Sequence, residues 1–404
     1  ATSRMTPFSR SRSRSSNRRL WLKASIEGTP PGAPPIDLTV GEPRHDPPPF
    51  LIEELQRHAA LFGRYPPIEG ILALRGSIAQ WIERRYGLVG AIDPDRNVLA
   101  LSGSREGLFS AMFPALDRRS FSGRPAALIP NPFYQAYLAA ALAAGAEPVM
   151  LDCPAGTGFL PDLDWLEGQH ALLARTAVLT LCSPANPQGS VASECYLRRA
   201  IELARSHDFM LFADECYSEV YADRPPEGAL AVASRHGGSL TNVVAFNSLS
   251  KRSNLPGLRS GFIAGDAAFL DRLSRFRNVA GPQMPLPVQW ASARIWADEA
   301  HVDVSRARYV TKFDAAARIL GNRFGNPRPA GGFFLWLEMN QFGGGEAAAL
   351  TLWQRRGVKV LPGAYLTHAS GHGTDPGESY IRVALVDSEA ATVEALERIV
   401  SVAV

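Results

Sequence analysis

Asn247-Ser248-Leu249-Ser250-Lys251-Arg252-Ser253-Asn254-Leu255-Pro256-Gly257-Leu258-Arg259-Ser260-Gly261 lies between two apolar runs, residues 243–246 and 261–264. A stretch rich in Ser, Lys, Arg, Asn, Pro and Gly is ordinarily a solvated loop. This one also holds an amine, neighbouring hydroxyls and, eight positions after Lys251, the guanidinium of Arg259. That set suits a small molecule with an aldehyde at one end and a phosphate at the other. Amines condense with such aldehydes, and guanidinium grips phosphate with a planar fork. The residues around the stretch decide between loop and site.

The same pattern of a short apolar run followed by polar residues recurs upstream. Residues 98–101 precede Ser102-Gly103-Ser104-Arg105, and residues 126–129 precede Asn131-Pro132. Residues 177–181 precede Ser183-Pro184-Ala185-Asn186-Pro187, and residues 209–212 precede Asp214-Glu215. Short, continuously apolar strands alternating with helical stretches predict an α/β fold whose mostly parallel, doubly wound sheet is covered on both faces. In such sheets ligands bind beyond the carboxyl ends of the strands, where these polar residues fall. The spacing Ile71, Leu74, Ile78, Trp81 predicts a helix. From about Pro285 the pattern changes to a long Ala- and Arg-rich helical region up to Leu320. Strands around 331–337, 358–361 and 380–385 and a helix from Glu389 follow. This predicts a smaller α+β domain. The expected division is a large domain at 45–285, a small domain from 25–44 and 286–404, and a basic, disordered tail at 1–24.

Charge supports that division. Residues 1–23 carry seven Lys or Arg and no acid, although the whole chain has a net charge of only +3. The remaining 35 basic residues face 39 acids, a net of −4, which gives a folded body no basis for binding nucleic acid. Acid-poor Arg/Ser composition also marks organelle-targeting segments. Here no clear apolar helical face accompanies it and Trp21 comes late, so an unstructured tail is the expectation. No apolar run approaches the roughly 20 residues of a membrane span. The four cysteines, Cys153, Cys182, Cys195 and Cys216, form no CxxC pair. They point to reduced thiols rather than a disulfide framework or a metal site. The expected protein is cytoplasmic, without metal, membrane or nucleic-acid partners.

Several polar residues have both an ordinary and a chemical use. Asp214 can cap a helix, or hold a ring nitrogen protonated so that the ring draws electrons. Tyr217, three residues on, can reach the same place from a turn. Asn186 sits in a Pro-Ala-Asn-Pro turn, where asparagine is common. Gly103-Ser104-Arg105 lies between strand and helix, a setting for phosphate. Tyr134 can pack in a core or stack on a flat cofactor. Arg382, mid-strand among apolar neighbours, needs an anionic partner, either an internal acid or a substrate carboxylate.

Taken in order, these motifs resemble the class I/II aminotransferases, pyridoxal-phosphate (PLP) enzymes of fold type I. The carrying residues are Tyr65-Pro66-Pro67 with Gly70, Gly103-Ser104-Arg105, Asn131-Pro132-Phe133-Tyr134, Ser183-Pro184-Ala185-Asn186-Pro187-Gln188-Gly189, Asp214-Glu215-Cys216-Tyr217, Ser248-Leu249-Ser250-Lys251 with Arg259, and Arg382. The resemblance implies that Lys251 is the Schiff-base lysine, with Asp214 and Tyr217 completing the catalytic set. It implies that Asp214 faces the ring nitrogen, that Asn186 and Tyr217 hold the ring's 3-oxygen, and that Tyr134 stacks on the ring. Gly103, Ser104, Arg105, Ser248 and Arg259 would hold the phosphate, with Tyr65 arriving from the second subunit of a homodimer. Arg382, Gly41 and Asn186 would bind the substrate's α-carboxylate end. The implied reaction is ping-pong amino transfer between an amino acid and a 2-oxo acid.

Within the family the stretch 248–259, Leu361-Pro362-Gly363 and Tyr380-Ile381-Arg382-Val383-Ala384-Leu385 are most similar to bacterial N-succinyl-diaminopimelate aminotransferases, which use glutamate as amino donor. The alternatives are an aspartate or aromatic aminotransferase and a carbon–sulfur β-lyase. A substrate with more than one carboxylate calls for a further cation, and Arg105 and Arg252 are the candidates.

Overall fold

The computed structural model describes Ile26 and residues 28–121, 123–368 and 375–402. The expected disordered tail at 1–24 lies outside the described residues.

The strands, in chain order, are β1 (Ile36–Asp37), β2 (Val98–Leu101), β3 (Ala126–Asn131), β4 (Glu147–Asp152), β5 (Thr176–Cys182), β6 (Met210–Asp214), β7 (Val243–Ser248), β8 (Gly261–Gly265), β9 (Phe334–Glu338), β10 (Val358–Lys359), β11 (Leu361–Pro362) and β12 (Tyr380–Ala384). Seven of them form one sheet in the order β2-β8-β7-β6-β5-β3-β4. Pairing is parallel from β7 through β6, β5 and β3 to β4, while β8 is antiparallel to both β7 and β2.

Side chains alternate across this sheet with the strand's period of two. Leu211, Ala213, Val243 and Ala245 enter one core with Leu74, Ile78 and Trp81 of helix Leu72–Tyr86 and with Leu197, Ala200 and Ile201 of helix Glu194–Ser206. Met210, Phe212, Val244 and Phe246 enter the opposite core with Leu108, Met112, Phe269 and Leu273. A strand buried on both faces has no polar side to expose, which is why these runs are continuously apolar.

The smaller unit contains the antiparallel sheet β11-β12-β9 and the parallel pair β1-β10. Its core joins Phe333, Leu335, Ile381 and Val383 to Tyr309 and Phe313 of helix Ala300–Leu320 and to Leu396 of helix Glu389–Val400.

Three differences from the sequence-based expectation have physical reasons. Strand β4 was not anticipated because Pro148 interrupts it and its residues are mostly half-buried. It is the edge strand, where a missing N–H is tolerated. The run 358–361 is not one strand, since β10 pairs with β1 and β11 with β12. Helix Leu286–Ala297, expected in the small domain, places Ala291, Ile295 and Trp296 in the large core beside Trp81. The change of partner falls at Asp298–Glu299, after which helix Ala300–Leu320 packs in the smaller core. No described helix is long and apolar enough to cross a membrane.

Candidate active site

The parallel strands carry polar residues past their carboxyl ends into one cleft of about 760 Å³. Asp214 is the last residue of β6 and Ser248 the last of β7, while Tyr134 and Asn186 follow β3 and β5. The cleft is also lined by Ser104, Arg105, Tyr217, Lys251 and Arg259 from the large unit and by Gly41 and Arg382 from the smaller one. Eleven of the residues singled out from the sequence thus meet in one place.

Lys251 lies on the short helix Leu249–Arg252, whose first turn is capped by Ser248 Oγ accepting from the Ser250 N–H at 3.0 Å. Its Nζ donates to the Gly41 carbonyl at 2.5 Å. It lies 5.3 Å from the Phe333 ring centroid and 6.0 Å from that of Tyr217. Burial lowers the Lys251 amine from its ordinary value to about 8, with Arg382 and Arg105 pushing the same way. Gly41 has no room for a side chain, since a Cβ there would lie 2.4 Å from Phe334 Cζ.

Asp214 is buried at the floor. Tyr137 Oη donates to its Oδ2 at 2.5 Å and the Cys216 N–H to its Oδ1 at 3.2 Å. Burial raises this carboxyl above its usual range, against the hydrogen bonds from Tyr137 and Cys216. Tyr137 was not anticipated from the sequence. Its signal was the second tyrosine three residues after Tyr134, one turn into helix Gln135–Ala143. Ser250, one of the hydroxyls beside Lys251, lines the cleft as well, together with Thr39, Cys216 and Phe334, which were given no role in the site from the sequence.

At the other end, Arg259 takes φ +56°, a left-handed conformation that costs a non-glycine residue about 1–2 kcal/mol. There its Nη1 donates to Pro256 O at 3.0 Å and its Nη2 to Ser102 O at 3.2 Å. Gly103, at φ +85°, makes room for it: a Cβ at that position would lie 2.1 Å from Arg259 Nη2. Gly103 therefore shapes the cradle from behind the cleft wall.

Arg382 sits on β12, the middle strand of the three-stranded sheet. Its Nη1 donates to Asn186 Oδ1 at 3.1 Å and its Nη2 to Thr39 O at 2.6 Å. The guanidinium lies 4.3 Å from the Phe334 ring centroid. Arg105 is exposed at the rim, and its Nε donates to Tyr134 Oη.

Besides Gly103, which does not line the cleft, two expected residues are elsewhere. Tyr65 is 97% exposed and does not line this chain's cleft. Arg252, a candidate for substrate binding, points away from the cleft and is 1% exposed. Its guanidinium lies 4.9 Å from the Trp296 ring and 5.6 Å from that of Trp81. It pairs with Glu299 at 2.6 Å and donates to Ile295 O and Asp298 O. On this helical turn successive residues project about 100° apart, and it is Ser250 and Lys251 that face the cleft while Arg252 lies on the side toward Trp296. Arg252→Met is expected to leave the ratio of kcat/KM for dicarboxylic and monocarboxylic acceptors unchanged. It should lower stability by about 1–3 kcal/mol, the usual loss for a broken buried network. Steady-state kinetics and denaturant unfolding check the two halves.

The family profile for aminotransferase class I and II matches residues 33–399. The chain belongs to this family. An aminotransferase from Neisseria meningitidis is 38% identical, with a TM-score of 0.88 over 95% of this chain and 96% of that one. The aminotransferase AspB from Helicobacter pylori is 32% identical, with a TM-score of 0.84 over 99% of each chain. In sequence, the LL-diaminopimelate aminotransferase of Desulforudis audaxviator is 30% identical over 91% of this chain and 90% of its own length. The 4-dedimethylamino-4-oxo-anhydrotetracycline transaminase OxyQ of Streptomyces rimosus is 34% identical over 88% and 90%. The protein is therefore a fold type I aminotransferase, and its cofactor is PLP.

The cleft fits that cofactor. Among the described residues Asp214 forms no ion pair, and a protonated ring nitrogen supplies the cation that a buried carboxylate needs. Arg259, Ser248 and Ser250 offer cationic and hydroxyl donors for the phosphate. The depressed Lys251 amine is suited to an aldehyde.

Proposed function

We propose that this aminotransferase moves the amino group of glutamate onto a long 2-oxo dicarboxylic acid of the diaminopimelate type, the N-succinylated compound first. The charge inventory of the cleft carries this reading. Among the described residues that line it, Arg105, Lys251, Arg259 and Arg382 stand against the carboxylate of Asp214, with Glu42 near Lys251. Such a surplus suits a phosphate and two carboxylates. Arg259 takes the phosphate, Arg382 the α-carboxylate, and Arg105, steadied by Tyr134, the far carboxylate. The relatives named for LL-diaminopimelate support the same substrate class.

When bound, PLP supplies an electron sink for the charge left on the substrate's α-carbon. Asp214 would keep the ring nitrogen protonated, and Asn186 and Tyr217 would hold the ring's 3-oxygen. Tyr134 covers one face of the ring. The Lys251 amine would take the proton from the substrate's α-carbon as general base and return one as general acid. Arg382 fixes the α-carboxylate so that the α-hydrogen faces the amine, and positioning supplies much of the rate. In this reading two copies assemble, and the exposed Tyr65 of each reaches the phosphate of the other.

An aspartate reading has support in the structural likeness to AspB, and acceptor length separates the two. Spectral conversion of the bound cofactor, screened across amino donors and oxo acids, should show glutamate as donor and preference for the long dicarboxylate. Arg105→Met is expected to reduce kcat/KM for dicarboxylic acceptors about 10–100-fold, the value of a charge-assisted hydrogen bond, and to spare monocarboxylic ones. An equal fall for both, with weaker retention of PLP, would assign Arg105 to the phosphate and leave the long-substrate reading without its cation.

A further inference from the structure

The three residues after Lys251 all turn away from the cleft and bond to residues between 295 and 305. These flank the joint at Asp298–Glu299, between helix Leu286–Ala297 in the large core and helix Ala300–Leu320 in the smaller one. Arg252 donates to Ile295 O, Asp298 O and Glu299. Ser253, fully buried, has its Oγ 2.8 Å from His301 Nε2, and His301 Nδ1 lies 2.5 Å from Asp298 Oδ2. Asn254 donates to Ser305 Oγ at 3.1 Å.

Burial lowers the His301 imidazole from its ordinary value and favours the neutral ring, and for a neutral ring the donor inventory assigns the protons. Asp298 only accepts, so His301 carries its hydrogen on Nδ1 and offers a lone pair at Nε2. Ser253 must then donate to Nε2, and its oxygen accepts from Arg252 Nη1 at 3.2 Å. Both ring nitrogens of His301 and the Ser253 hydroxyl are satisfied in one tautomer. The order is that of a nucleophilic triad, but a serine with no exposed surface meets no substrate. What the chain does reach is the end of the four-residue helix that carries Lys251. Leu249–Arg252 is too short to hold its own shape in water, so its geometry must come from contacts such as these.

We propose that His301, oriented by Asp298, is a positioning residue for Lys251: through Ser253 it fixes the helix end that aims the lysine into the cleft and ties it to the joint between the two cores. This rests on Lys251 being the residue that bonds PLP. Loosening the helix would let the amine reach water. The burial that holds it near 8 would weaken, and its titration would move up toward the ordinary lysine value. The charged or ionisable groups facing Lys251 are Cys216, Arg382, Glu42 and Arg105, and those facing His301 are Asp298, Arg252 and Asp303. Only Asp298 among them is changed in the test.

The test uses purified full-length apoprotein and measures the rate at which added PLP is captured covalently, as a function of pH. Borohydride trapping and peptide mass locate the modified lysine. Wild-type protein should be modified at Lys251 with a midpoint near 8. Ser253→Ala and Asp298→Ala should raise the midpoint by about one unit and slow capture at pH 7 about tenfold. Asp298→Asn, which keeps an oxygen acceptor for His301, should behave as wild type. If Ser253→Ala and Asp298→Ala melt earlier but keep the wild-type midpoint and rate, the network is only structural and the proposal fails. If wild-type protein is modified at another lysine, the reading of Lys251 fails first and the proposal with it.

Discussion

Lys251→Ala is expected to abolish turnover, with kcat lower by about 10⁴-fold or more, while the protein remains folded and at neutral pH becomes more stable without cofactor. The first half follows from the lysine's double duty. In the proposed mechanism its amine is the nucleophile toward the cofactor aldehyde and then the proton carrier at the α-carbon, and a positioned general base alone contributes about 10²–10⁴-fold. Asn186, Tyr217, Asp214 and Arg259 are untouched, so PLP should still bind, reversibly. Visible absorbance with and without gel filtration distinguishes reversible binding from the covalent hold of the wild type. Retention of a tenth of the wild-type rate would remove Lys251 from the mechanism.

The second half follows from linkage. The folded value of Lys251, about 8, lies below the ordinary 10.5 because the amine is buried. Between these values the unfolded chain binds the extra proton, so this group's contribution to stability rises with pH from about 8 to about 10.5. Below 8 both states are protonated and the folded state carries the whole penalty, about 3 kcal/mol at most. Alanine removes that penalty together with some packing of the lysine stem. The apoprotein variant should therefore gain stability at pH 7 and lose the advantage above pH 10, which unfolding curves at the two pH values measure. Lys312 is also held at about 8 by burial and is present in both proteins, so the difference between them isolates Lys251. A site that stabilises its own catalytic group poorly is the expected trade between activity and stability.

How far the sequence could be followed depends on whether a residue's neighbours are local. The strands β3, β5, β6 and β7 were legible because burial on both faces leaves no polar alternation. Their polar ends were legible because each sits one or two residues past an apolar run. Arg382 was legible as an arginine with no polar neighbours in its strand. Arg252 was not: its environment is made by Trp81 and Trp296, one 171 positions before it and the other 44 after, which meet only because two helices pack together. Tyr137 was missed for the same reason, since its partner Asp214 lies 77 positions away. Strand β4 was hidden by Pro148, whose tolerance depends on being at the sheet's edge, and that position is a property of the whole topology.

Arg382→Ala is expected to lower kcat/KM about 10²–10³-fold for every amino acid and 2-oxo acid, and Arg382→Lys to recover only part of the loss. The guanidinium is buried to 8% exposure and fixed on three sides by Asn186, Thr39 and the Phe334 ring. An anion bound there is desolvated, and removing one member of a desolvated, hydrogen-bonded charge pair costs roughly 2–5 kcal/mol. Lysine restores the charge but not the planar pair of donors. The fall should appear mainly in KM where the carboxylate is held equally before and during reaction. It should appear in kcat to the extent that holding it aims the α-hydrogen at Lys251. A primary amine without a carboxylate gives the decisive control. Its slow reaction should be unchanged by Arg382→Ala, because nothing in it reaches β12. An equal loss for the amine and the amino acids would mean that Arg382 supports the cleft's shape through Asn186 and Thr39 rather than the substrate, and that the α-carboxylate is held elsewhere.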